Sequence, residues 1–362
     1  MDKFIFDKVF DGVYYWFVWA QIDGKHLRRK IAEPEVTKLM IMGFEEYEVM
    51  SVYGNKQDWD DFLKYAAECN VEVFLIRPAY LDTQLNYRHY ITEGKNLIQY
   101  MHYFGAAALH TYINSKYTVI QPKVFKKTFT SLNNKGHIHR CIFFDEMYKQ
   151  NQRHNGFVSW GANDINWDYN WKYFDTPNIP QKLDWESVDD PRNDILFPPK
   201  QFGSSLWSVV CESNTECIFT TEKTYIPILH KRPFVTYAVP NFNKALKKLG
   251  FKLFDEYIDY SFDSIDNDRK RAEEFWKQIN KLHDLDHAKV KEELQEKIDY
   301  NFNWLCTMCL NPQDHFPKYF LDMVENVEHL HMKEVYKPRI FIDRTKFDKW
   351  CVRHNFNFKE IK

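Results

Sequence analysis

The sequence predicts an α/β protein of two domains, and three observations carry that prediction. Apolar β-type runs alternate with segments of helical spacing, the order that builds parallel sheets covered by helices on both faces. The stretch from Trp207 to Ala238 compresses this pattern. It holds an apolar run over Trp207–Cys211, a polar connection, a short apolar helix opened by Thr220-Thr221-Glu222-Lys223, and a second β-type run from Pro233. A chain of 362 residues can bury two cores, and a second strand–helix series starts near Pro122. The expected division is 1–120, an N-terminal α/β domain; 121–300, a second α/β domain; and 301–362, a C-terminal helical tail packing back on the body.

In the first domain Val13–Trp19 reads as a strand with a turn at Asp23-Gly24. Lys38–Met42 and Tyr47–Tyr53 are further strands. Trp59, Phe62, Leu63 and Ala66 recur at helical spacing within Gln57–Cys69, and Val71–Ile76 is a buried strand. Leu97–Leu109 reads as a helix and Tyr117–Ile120 as a strand.

In the second domain a strand over Thr128–Leu132 leads through a polar turn, Asn133–His139, into a helix from Arg140; Gly156–Trp160 is the next strand. Gly161–Lys200 is rich in Asn, Asp, Trp and Pro with little periodicity, and reads as a long loop with short helices or as a functional excursion. Asn243–Gly250 is a short helix ended by glycine, followed by a short strand over Phe251–Phe254. Helices are expected over Arg269–Leu282, from Lys289 toward Trp304, and over Phe316–Val335.

The formal net charge of −2 gives no global attraction to nucleic acid or anionic membrane. Local basic clusters exist at Lys123/Lys126/Lys127 and Lys244/Lys247/Lys248. Seven irregularly spaced cysteines point to reduced thiols. Cys306-Thr307-Met308-Cys309 reads as buried thiols rather than a zinc site, although His283, His287 and His315 lie nearby in sequence. No secretory signal fits the first residues and no apolar run is long enough to cross a bilayer, so no membrane anchor and a cytoplasmic location are expected. There is no GxxxxGK[ST] and no GxGxxG, which removes the usual kinase and dehydrogenase phosphate loops.

Thr221 is placed to cap the helix that follows it, and free backbone N–H groups at that start, beside Lys223, suit a phosphate. Taken alone, Thr221-Glu222-Lys223 also reads as a capped helix with a solvated ion pair. Phe219-Thr220-Thr221-Glu222-Lys223, preceded by Cys211-Glu212-Ser213 and followed by Pro227 and Arg232-Pro233-Phe234-Val235, resembles the donor-binding motif of the α-1,3-fucosyltransferase family. A similar form occurs in glycosyltransferase-like proteins of large viruses and phages. The resemblance covers about 125–271 and not the first hundred residues.

The resemblance implies a GT-B type architecture of two Rossmann-like domains with C-terminal helices. It also implies an inverting, metal-independent glycosyltransferase of bacterial or viral type, moving fucose or a similar sugar from a nucleotide-sugar donor, with GDP as the nucleotide, to a glycan acceptor. On that basis the donor-binding residues are Asn133, Arg140, Glu212, Ser213, Phe219, Thr221, Glu222 and Lys223. Arg140 would reach the donor diphosphate, Glu222 the donor sugar, and Phe219 would border the nucleotide. Phe219 stands where the family usually has Tyr, and Ser213-Asn214 where it has Asn-Ser. Glu212 reads equally as a carboxylate capping a nearby helix, and Arg140 as a helix-surface charge. An Arg in a first helical turn opposes the helix dipole, which favours an anionic partner.

No cofactor or metal is expected. Asp58-Trp59-Asp60, Asp266-Asn267-Asp268 and Asp284-Leu285-Asp286 all lie beside or inside helix patterns rather than at the end of a buried strand. The catalytic base is unassigned, with Glu72, Asp82 and Glu93 as options. Two other readings remain open: a phage or viral enzyme that glycosylates DNA bases, and a non-catalytic carbohydrate-binding relative.

Overall fold

The structure, a computed structural model, describes residues 5–10, 12–18, 24–42, 56–77, 79–80, 96–99, 103–133, 137–159, 198–213, 218–326, 333–334 and 337–361. It is a mixed α/β protein whose chain divides into two compact units: Met1–Ala106 with Met308–Asp343, and Ala107–Thr307 with Arg344–Lys362. The stretch expected as a separate tail, 301–362, is thus shared between the units. The strand expected over Tyr47–Tyr53 and the irregular stretch 161–197 lie outside the described residues. No helix among the described residues is long and apolar enough to cross a membrane.

The first unit is built on a five-stranded sheet. Its strands are β1 (Ile5–Phe10), β2 (Val13–Val18), β3 (Lys38–Met42), β4 (Glu72–Arg77) and β5 (Asn96–Gln99), side by side in that order. β1 and β2 form an antiparallel hairpin, and the remaining pairs are parallel. Leu39, Met40 and Ile41 are buried consecutively, as a strand covered on both faces requires. Helices α1 (Gly24–Ile31) and α2 (Lys56–Glu68) bring Leu27, Ile31, Phe62 and Ala66 to the core around Tyr14 and Val73.

Two expectations change here. Gly24 opens α1 instead of closing a turn, and Leu97–Leu109 splits into β5 and helix α3 (Tyr103–Asn114) because Asn96–Gln99 pairs with β4 at the sheet edge. Strand pairing overrides local periodicity at that edge.

The second unit holds four parallel strands: β6 (Lys127–Ser131), β7 (Gly156–Val158), β8 (Ser205–Cys211) and β9 (Phe234–Tyr237). Their spatial order is β9-β8-β6-β7. From β6 the chain goes outward to β7, then returns to the other side of β6 for β8 and β9. The order therefore reverses between β6 and β8. All seven residues of β8 are buried.

Helix α4 (Ile138–Lys149) lies against the later helix Asp268–Asn280 through aromatic contacts: Phe143 is 4.7 Å from the Trp276 ring and 4.8 Å from Tyr237, and Phe129 is 5.4 Å from Trp276. Gly156, opposite Phe129 in the register, is where the chain needs no side chain. A Cβ there would stand 2.1 Å from the Phe129 ring.

Two segments expected as strands are not part of a sheet. Lys252 N–H donates to Asn301 Oδ1 at 2.8 Å and its carbonyl accepts from Asn301 Nδ2 at 2.9 Å, so one side-chain amide takes the place of a partner strand for Phe251–Phe254. Ile120 N–H donates to His230 Nδ1 at 2.9 Å, anchoring Tyr117–Ile120 to a side chain instead of a sheet. Asn301 belongs to the 24-residue helix His287–Leu310, whose Phe302 meets Trp350 at 6.1 Å and Phe356 at 4.9 Å. Lys231 Nζ lies 4.7 Å over both the Phe302 and Phe356 rings. Cys306 and Cys309, on the same long helix, are buried and form no disulfide.

Because Nδ1 of buried His230 accepts, Nε2 carries the proton and donates to Tyr112 Oη at 2.6 Å. Burial pushes this imidazole down to about 3, against an ordinary value near 6.5. A histidine held neutral in the fold contributes stability above the unfolded value and loses it as pH falls from about 6.5 toward 3. His230 alone is expected to make the protein about 2 kcal/mol less stable at pH 5 than at pH 7. Urea titrations at the two pH values check this, since the drop should shrink by that amount in His230→Gln.

Candidate functional site

Helix α5 (Glu222–Leu229) starts where the sequence places it: Thr221 is the N-cap, and its side chain accepts from Lys223 N–H at 3.3 Å. What fixes that start against the sheet is Glu212, the residue immediately after β8. Its fully buried carboxylate accepts from the backbone N–H groups of Thr221 (3.1 Å) and Ser213 (3.2 Å) and from the hydroxyls of Thr221 and Thr224. Four donors saturate one carboxylate. Of the two readings open for Glu212, the helix-capping one is what the structure displays.

The same strand end receives the first turn of α4. His139 Nε2 donates to the Glu212 carbonyl at 2.7 Å, and Arg140 donates from a terminal guanidinium nitrogen to Ser213 Oγ at 3.1 Å. Arg140 is 1 % exposed, so the reading of a helix-surface charge is overturned. The first turns of α4 and α5 therefore meet at Glu212-Ser213, on the C-terminal edge of β8 beside the reversal in strand order. In open α/β sheets that edge is where ligands bind.

Lys223 Nζ pairs with Glu222 Oε1 at 2.6 Å and reaches Thr221 Oγ1 at 3.4 Å. Both side chains of the pair are 16 % exposed, so the ion pair is largely buried instead of solvated. Burial raises the Glu222 carboxyl, but the Lys223 ammonium and the Arg140 charge outweigh it and hold Glu222 below its ordinary value. At Glu212 burial prevails over Lys223 and the two threonine hydroxyls, and the carboxyl is raised. His139 is driven well below the usual imidazole range by burial and by Arg140. The neighbouring Cys211 thiol is pushed up to about 12 by burial and is no nucleophile.

Asn133 follows β6 on the same sheet edge. Its N–H donates to Ser159 Oγ at 3.1 Å and its Nδ2 to Ser131 Oγ at 3.0 Å, while Oδ1 is buried without a hydrogen bond. Phe219 is 2 % exposed, so its ring is packed within the protein. Arg140, Glu212, Ser213, Thr221, Glu222 and Lys223 thus form one connected network. His139 and Thr224 join it without any signal in the sequence beyond their positions in the first turns of α4 and α5.

Two acids of the Asp-x-Asp segments have other partners. Asp268 pairs with Arg271, and Asp286 accepts from the N–H groups of Ala288 and Lys289 at the start of the long helix. Lys127 Nζ donates to the His154 carbonyl, and Lys247 pairs with Asp255 at 3.1 Å, which offsets part of the charge of the second basic cluster.

No protein-family profile and no curated protein matches the chain.

Proposed function

We propose that the protein is an inverting glycosyltransferase that transfers fucose or a related sugar from a nucleoside-diphosphate sugar, with guanine as the base, to a glycan acceptor, and that its two units are Rossmann-like domains of the GT-B type. The observation that carries this reading is the meeting of Arg140, Ser213, Glu222 and Lys223 beside the strand-order reversal, with two helix starts directed to one point. In the reaction the acceptor hydroxyl attacks the anomeric carbon, the bond from that carbon to the diphosphate oxygen breaks, and negative charge gathers on the leaving phosphate. Arg140 and Lys223 stabilise that charge, which makes metal unnecessary for it.

A base must take the acceptor proton. Glu72 opens β4, and the N-terminal end of a parallel strand is the wrong end for a ligand site, which disfavours it. Asp82 and Glu93 lie outside the described residues. The helix-capping contacts of Glu212 compete with the donor contact that the resemblance gives it. That competition favours the non-catalytic carbohydrate-binding relative as the second reading, and a donor-turnover assay separates the two.

Guanosine diphosphate and its sugar derivatives are expected to raise the melting temperature more than adenosine or uridine counterparts at equal concentration, because a ligand of the folded state stabilises it in proportion to the logarithm of its affinity. Equal or absent shifts across that panel would remove the donor site.

A further inference from the structure

The cations of this network are not surrounded by empty space; one of them already holds an anion. Lys223 Nζ sits 2.6 Å from Glu222 Oε1, and both side chains are largely buried. Arg140, from the first turn of a different helix, acts on the same Glu222 carboxylate through its charge. Below them Glu212 is a second carboxylate, whose charge is taken up by four donors of its own.

We infer that Glu222 sets a preference for the sugar-bearing nucleotide over the bare nucleoside diphosphate, by holding Lys223 until a ligand hydroxyl donor takes up part of the carboxylate. A diphosphate approaching Lys223 must either share the ammonium with Glu222 or displace it, and displacement leaves a largely buried carboxylate facing a dianion or trianion. An ionised carboxylate has two oxygens and accepts several hydrogen bonds, so a hydroxyl can join Glu222 while Lys223 turns toward the phosphate. A sugar brings such hydroxyls, and its ester linkage also removes one ionisation from the terminal phosphate. The bare diphosphate brings the extra charge and no hydroxyl there. After transfer the same arrangement expels the product, since loss of the sugar leaves Glu222 and the terminal phosphate competing for one ammonium.

This inference rests on the proposed donor site, and the test separates the two. Calorimetric dissociation constants for guanosine diphosphate and for GDP-fucose are measured on the full chain in wild type, Glu222→Gln and Glu222→Asp. Glu222→Gln keeps the shape and removes the charge, so guanosine diphosphate is expected to bind about tenfold tighter and GDP-fucose no tighter, inverting or abolishing the preference. Glu222→Asp keeps the charge and should retain a preference of the wild-type sign, a rescue that a purely structural role for Glu222 does not give. Product inhibition of Glu222→Gln rises in parallel wherever turnover is measurable. Unchanged affinity for guanosine diphosphate in Glu222→Gln overturns this inference and leaves the donor site standing. Failure of wild type and both variants to bind either compound, with circular dichroism showing all three folded, overturns the donor site and this inference together.

Discussion

Replacing Lys223 by Ala is expected to cut turnover of the best sugar-nucleotide donor by about a hundredfold, the usual cost of removing one preorganised group aimed at developing charge. Among the described residues the side chain bonds to Glu222 and Thr221 on its own helix turn, so the fold should survive its loss. Arg140 is buried and bonded to Ser213, so Arg140→Ala opens a void as well as removing a charge. Arg140→Met, which fills most of that void, is the better probe of the same hundredfold loss. Steady-state kinetics with circular dichroism on each variant decide the matter. Turnover near the native rate in both, with the proteins folded, would show that these cations serve only local packing.

The second large effect concerns the frame beneath the site. Gly156→Ala places a methyl group within 2.1 to 2.6 Å of three carbons of the Phe129 ring. That ring is fully buried and already packed against Trp276, so it has nowhere to swing. Overpacking of this kind costs about 3 kcal/mol or more. The loss should appear as a lower urea midpoint with little change in slope. Phe129→Leu, which trims the ring, should recover part of it in the double variant, because two side chains in contact do not act additively. A Gly156→Ala protein as stable as wild type would mean that β7 shifts away from β6 without penalty.

Much of this fold is legible from residue pattern. The β8 run from Trp207 to Cys211 is apolar apart from Ser208, as suits a strand buried on both faces, and Thr221 announces the start of α5. The reading failed where the partner of a backbone group is a distant side chain. Nothing local at Phe251–Phe254 reveals that Asn301 would satisfy Lys252, and nothing at Ile120 reveals His230. At the site, the triplet Thr221-Glu222-Lys223 and Arg140 stand out as charges at helix starts. Helix capping is one of the two readings the sequence allows for Glu212, but the groups it caps are not legible, because a carboxylate that caps from outside its own helix has no fixed spacing to the residues it caps. Thr224, one of its donors, lies twelve positions further on.

The chain weaves between its two units, and this shapes how the protein is made. Residues 344–362 belong with 107–307, and Trp350 and Phe356 cover Phe302 while Phe356 shares Lys231 with it. Residues 308–343 belong in turn with the first unit, where Tyr319 meets Phe74 edge-on at 5.8 Å and Lys38 lies over its ring. A ribosome therefore releases neither unit with its apolar surface fully covered until translation has passed these late segments. Domains that fold one after another during synthesis escape that exposure. Here Phe74 in the first unit and Phe302 in the second wait for their late aromatic partners, so holdase chaperones have a long window of engagement, and a stop codon near residue 340 would compromise the second unit despite leaving all four of its strands intact.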